Sequence, residues 1–157
     1  MKPVKSLALA APLALAALAP VSAGAQEFSK ELIEKGRYLA TASDCVACHT
    51  NHHGGKPMAG GLPMASPVGT IMSTNITPSK EFGIGTYSEA QFADAVRKGI
   101  RGDGANLYPA MPYVSYSNMT DEDIHALYAY FMQGVEPVDA KAPETSLPFP
   151  MNIRDRK

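Results

Sequence analysis

Apolar positions recur with different rhythms along this chain, and each rhythm predicts an element. An almost unbroken Ala/Leu run covers Leu7 to Ala19, preceded by Lys2 and Lys5 and followed by Ala23-Gly24-Ala25. A charged start, an apolar middle and a small-x-small end make residues 1–25 a secretory signal peptide. The run is too short to span a bilayer comfortably, so it is not read as an anchor. A helix is predicted from about Lys30 to Thr41, where Leu32, Ile33, Gly36 and Leu39 or Ala40 fall at helical spacing behind the N-cap candidate Ser29. Gly36 inside it costs about 1 kcal/mol against alanine, which points to close approach by another helix.

Between Gly54 and Gly85 the periodicity disappears: these 32 residues contain seven glycines and four prolines, which excludes a long helix. A second helix is expected over Glu89 to Lys98, with Ser88 and Gln91 at capping-box spacing, Phe92 and Val96 on its apolar face, and Gly99 at the C-terminal stop. Leu107 to Tyr113 reads as extended, because Pro109 and Pro112 disfavour helix in the residues before them. The last helix has Thr120 as N-cap, Asp123 three residues on, and Met119 with Ile124 as a hydrophobic staple. Ile124, Leu127, Tyr128, Phe131 and Val135 form its buried stripe, and His125 lies off that stripe, toward solvent. From Pro137 onward the chain reads as an extended, proline-rich tail. The fold class is therefore all-α: three main helices joined by long Gly/Pro-rich loops. The organisation expected is a signal peptide over 1–25, one domain over 26–136 and a tail over 137–157.

Composition changes this picture little. Removal of residues 1–25 leaves 132 residues with twelve basic and fifteen acidic side chains, a formal charge of −3. One domain fits that length, and nothing in the charge suggests nucleic acid as a partner.

The chemistry concentrates in Cys45-Val46-Ala47-Cys48-His49, which contains both cysteines of the chain. Two thiols at i and i+3 on one helical turn face the same side, so both can form thioethers with one porphyrin edge while the following imidazole reaches the iron. This is the pattern of c-type haem attachment. A thioredoxin-like redox pair would require a βαβ context that the flanking residues lack. A zinc site using His49, His52 and His53 would bunch every ligand within nine residues, whereas structural zinc sites draw on separated segments. The exported location agrees with the motif, because haem is attached to thiols outside the bacterial cytoplasm. A porphyrin also explains Met58, Leu62, Met64, Val68, Ile71, Met72 and Ile76 in the Gly/Pro-rich segment: they need something apolar to cover. That segment is read as a loop wrapped along the haem edge, the cofactor standing in for a protein core.

A sixth ligand to the iron has several candidates among the eight methionines. Met111 stands out, 62 residues after His49 on a proline-braced segment that can present a thioether rigidly. Met58, Met64 and Met72 remain alternatives. His52 and His53 follow His49 too closely to cross easily to the other face of the ring.

Taken together, these stretches resemble a class I c-type cytochrome, and within it the cytochrome c subunits of bacterial alcohol, aldehyde and gluconate dehydrogenase complexes. The resemblance rests on Gly36-Arg37-Tyr38-Leu39, Ser66-Pro67-Val68-Gly69-Thr70-Ile71, Ser73-Thr74-Asn75-Ile76-Thr77-Pro78, Gly83-Ile84-Gly85-Thr86-Tyr87 and Leu107-Tyr108-Pro109-Ala110-Met111-Pro112-Tyr113, and covers most of the mature chain. It implies a small cytochrome c fold around one covalent haem c, with Cys45 and Cys48 attaching it and His49 and Met111 as axial ligands. It further implies that the first and last helices cross near Gly36. Pro67 or Pro63 is expected to offer a carbonyl to the His49 ring, and Asn75 and Tyr87 are expected near the propionates. Many relatives continue into two further haem domains after a tail like Pro148 to Arg154, so this chain is expected to hold one haem.

The function expected is periplasmic electron transfer on a His/Met-ligated haem. A dehydrogenase would be the donor and an oxidase or another cytochrome the acceptor, with no membrane-spanning segment in the mature chain. The alternative is a haem enzyme, peroxidase-like or a reductase, with a labile sixth ligand.

Overall fold

A computed structural model describes residues 27–150. The predicted signal peptide over 1–25 lies outside the described residues, as does the end of the tail. Among the described residues there are five helices and one two-stranded sheet: α1 Lys30–Ala42, α2 Cys45–Cys48, β1 Pro63–Ser66, β2 Gly69–Met72, α3 Glu89–Lys98, α4 Tyr113–Tyr116 and α5 Asp121–Ala129. The last of these runs on into a π-helical turn over Tyr130–Gly134.

Local chemistry starts the long helices. Ser29 Oγ accepts from the Leu32 N–H at the head of α1. At α3, Ser88 and Gln91 form a full capping box, each side chain accepting from the other's backbone N–H. Thr120 Oγ1 accepts from the Asp123 N–H to open α5, where Asp121, Glu122 and Asp123 meet the positive end of the helix dipole. Gly99 closes α3 in the left-handed conformation at φ 66°.

Helices α1 and α5 pack across each other at Gly36, where an added Cβ would strike the Ala126 carbonyl and lie 2.6 Å from Tyr130 Cβ. The absent side chain lets the two backbones touch. The core gathers Ala40 of α1, Phe92 of α3, and Ile124, Leu127 and Phe131 of the last helix, together with Met58 and Ile84 from the long loop. Phe92 contacts both Tyr128 and Phe131 ring to ring, at centroid separations of 5.8 and 5.6 Å.

The all-α expectation needs a correction in the Gly/Pro-rich segment. β1 and β2 pair antiparallel, Pro63 opposite Met72 and Ser66 opposite Gly69, around a two-residue turn at Pro67-Val68. Proline at the first central position suits that turn, since its φ is already set. Beyond the hairpin, Gly61 N–H donates to Ser73 O and Ser73 N–H to Leu62 O, so the pairing continues inward. The tail covers the hairpin's outer edge: the Met72 N–H donates to Thr145 Oγ1 at 2.9 Å, Thr70 bridges to Ser146, and Leu147 is buried. A second correction concerns Tyr113, the last residue of the predicted extended piece, which instead opens the single-turn helix α4.

Candidate functional site

The Cys-x-x-Cys-His stretch stands at an abrupt turn. Ser43 ends α1, Asp44 adopts the left-handed conformation at φ 60°, and α2 begins at once with Cys45. Aspartate tolerates this region better than most side chains. Cys45 and Cys48 are then one helical turn apart, and the His49 N–H donates to Cys45 O to close the turn. Both thiols are free; Cys45 is half-buried and packs against the core, and Cys48 is exposed. Burial pushes the Cys45 thiol up to about 11. A redox-active dithiol needs the opposite, a stabilised thiolate.

His49 has a fixed orientation. Its Nδ1–H donates to the Thr74 carbonyl at 2.8 Å, which settles the tautomer and leaves the Nε2 lone pair for a metal. Burial holds the imidazole below its ordinary value, with the Thr74 contact acting in the other direction. The ring is thus kept as a neutral donor. Neither Pro67 nor Pro63 supplies the acceptor, which corrects the sequence expectation. Pro67 lies in the hairpin's turn and Pro63 is spent opposite Met72, whereas the chain meets the His49 ring at Thr74, two residues past the end of β2.

Gly60 makes that approach feasible. Its N–H donates to His49 O at 2.8 Å, its φ is +72°, and a Cβ there would lie 2.6 Å from Ser73 O and closer still to the Thr74 backbone. Sequence reasoning passed over this glycine because nothing local marks its distant partner.

Met111 lies half-buried on the segment before α4. Its N–H reaches Tyr108 O at 3.3 Å, and its own carbonyl accepts from the Tyr113 N–H at 2.9 Å. From α4, Tyr116 Oη donates to Ser43 O at 2.8 Å, so the segment bearing Met111 is bonded to the turn that introduces Cys45. A mainly apolar cavity of about 440 Å³ adjoins the same segment, between Tyr108, Pro109 and Ala110 on one side and Met64, Pro67 and Ile71 on the other. Of the alternative methionines, Met58 is packed into the core at φ 62° and Met72 is pinned to the tail, whereas Met64 faces this cavity. His52 and His53 are exposed.

The expectation for Asn75 changes. Asn75 spends both amide protons on Val138 O and Ala140 O, and its Oδ1 accepts from Thr77 N–H and Oγ1. It pins the tail and has no proton left for a carboxylate. Tyr87 Oη accepts from the Gly102 N–H at 2.9 Å. His125 is also paired, its Nδ1 lying 3.0 Å from Glu89 Oε1 across the α3–α5 contact.

The residues present suit a covalently held porphyrin: two thiols one helical turn apart, an imidazole with a free Nε2, and a thioether, Met111, on a segment bonded to the attachment turn. A family model, described as Cytochrome c, matches residues 33–134. The chain belongs to the cytochrome c family. Its cofactor is covalently bound haem c, and its chemistry is electron transfer. Curated relatives make the kinship more specific. The cytochrome is 60% identical over 122 residues to the fructose dehydrogenase cytochrome subunit of Gluconobacter japonicus, covering 78% of this chain and 25% of the relative. It is 53% identical to the cytochrome c subunit of the quinone alcohol dehydrogenase of Gluconobacter oxydans, over 91% of this chain and 30% of the relative. To the gluconate 2-dehydrogenase cytochrome c subunit of Pantoea cypripedii it is 52% identical, over 98% of this chain and 33% of the relative. The chain spans a quarter to a third of the length of these relatives.

Proposed function

We propose that this cytochrome is a periplasmic one-electron carrier whose haem is attached through Cys45 and Cys48 and ligated by His49 and Met111. The observation that carries the reading is the 2.8 Å bond from His49 Nδ1 to the Thr74 carbonyl, since it leaves Nε2 as a fixed neutral donor directly after the two thiols. The bond of Tyr116 to Ser43 supports Met111 as the second ligand, because it ties that methionine's segment to the attachment turn.

Bound haem c supplies an Fe(III)/Fe(II) couple. The protein's part is to set the potential and exclude side reactions. A Met111 thioether favours the ferrous state, and apolar surroundings such as Met64 and Ile71 act in the same direction. His49 and Met111 would hold the iron between them, and a haem so held would carry electrons rather than make bonds in a substrate.

Export through residues 1–25 places the carrier in the periplasm. By similarity to subunits of fructose, alcohol and gluconate dehydrogenases, the donor is a dehydrogenase, and an oxidase or another cytochrome takes the electron onward. Among the described residues no helix is long and apolar enough to cross a membrane. The test is reduction of the purified ferric protein by the dehydrogenase that co-purifies with it, in the presence of that enzyme's substrate. Stoichiometric one-electron reduction is expected, with no turnover by the cytochrome alone. Consumption of hydrogen peroxide by the cytochrome alone, at enzymatic rates, would move it to the haem enzymes.

A further inference from the structure

Helix α4 is anchored at both ends. At its start the Tyr113 ring lies against Gly99, and at its end Tyr116 Oη donates to Ser43 O at 2.8 Å, across 73 positions of sequence. Ser43 is a firm acceptor: its own N–H donates to Leu39 O, and the next residue's N–H donates to Thr41 O. On the other side, the Tyr113 N–H donates to the Met111 carbonyl at 2.9 Å, which fixes the methionine's backbone to α4. A continuous run of bonds thus joins the backbone of Met111 to the turn two residues before Cys45.

We infer that Tyr116 is a positioning residue for the sixth ligand: its bond to Ser43 holds the Met111 segment against the haem-attachment turn and sets how easily Met111 is displaced. This rests on the proposed Met111 ligation. If the bond is lost, α4 keeps its Tyr113 anchor at Gly99 but can pivot about it, so the methionine segment is held less closely to the attachment turn and an exogenous ligand meets weaker competition for the iron.

The experiment measures imidazole binding to the ferric holoprotein, wild type against Tyr116→Phe, which removes only the hydroxyl. Tyr128→Phe is the control: it deletes a phenol-to-carbonyl bond of the same 2.8 Å length, from Tyr128 to Tyr87, away from the Met111 segment. One neutral hydrogen bond corresponds to about a fivefold change in an equilibrium constant. Tyr116→Phe is expected to bind imidazole about fivefold more tightly, with Tyr128→Phe close to wild type. Equal affinity in Tyr116→Phe and wild type, or an equal rise in both variants, overturns the positioning role. Met111→Ala separates the premise: it should bind imidazole far more tightly than either, and if its affinity equals that of wild type, the ligation itself is wrong.

Discussion

Gly36 and Ala126 lie so close that a side chain on the glycine would overlap the alanine's carbonyl oxygen. The crossing of α1 and α5 depends on this contact, and it orients α1 so that Ser43, Asp44 and the two cysteines follow from its end. Gly36→Ala gains about 1 kcal/mol in helix propensity. Overpacking of this kind costs about 1–3 kcal/mol or more, and here the obstacle is backbone that cannot rotate away. The variant is expected to unfold at lower urea concentration than wild type, in a titration followed by circular dichroism.

Gly60 brings the Thr74 carbonyl within reach of His49. Gly60→Ala would strain a left-handed residue by about 1–2 kcal/mol and press a methyl group into the Ser73–Thr74 backbone. Lower stability is expected together with a shifted proton resonance for the His49 ring. A variant with normal stability and an unchanged ring signal would show that Thr74 can be presented without this glycine.

Cys45 and Cys48 are the sole cysteines, so the thioether assignment has no substitutes. Cys45→Ala with Cys48→Ala should abolish the haem stain after denaturing electrophoresis. Either single variant should keep at most one thioether and a visible shift in the reduced spectrum. Normal staining of the double variant would contradict the assignment.

Asp123 gives the fold a dependence on acid. Hydrogen bonding to Thr120, then to Lys35, holds its carboxyl below the usual aspartate value. The unfolded chain therefore binds the proton more readily, and the stabilisation is complete above the unfolded value and lost as pH falls through the folded one. Asp123→Asn is expected to be less stable than wild type at neutral pH, with the gap closing in acid. Urea midpoints measured at several pH values check this.

What could be read from the sequence was what local chemistry encodes. Ser29, Ser88 and Thr120 announce their helices because a cap and its partner lie within three residues, and Ile124, Leu127 and Phe131 reveal a buried face by spacing alone. The Cys-x-x-Cys-His stretch is equally local. The hairpin was missed because its strands are only four residues long and rich in small residues, although Ser66-Pro67-Val68-Gly69 carries a turn signal. Nonlocal partners were invisible for a different reason. Every residue has a carbonyl, so nothing in the sequence distinguishes Thr74 from Pro67 as the acceptor for His49. His125 looked solvated because Glu89, its partner, is 36 positions away.

The central claim is that His49 and Met111 together ligate the iron of a covalently held haem. The most direct measurement is the absorption spectrum of the oxidised protein, wild type beside Met111→Ala, searched for the weak sulfur-to-iron charge-transfer band at the red end. The account predicts the band in wild type and its loss in Met111→Ala, with haem still covalently bound in both. A wild type without the band, or a Met111→Ala variant that keeps it, would contradict the account.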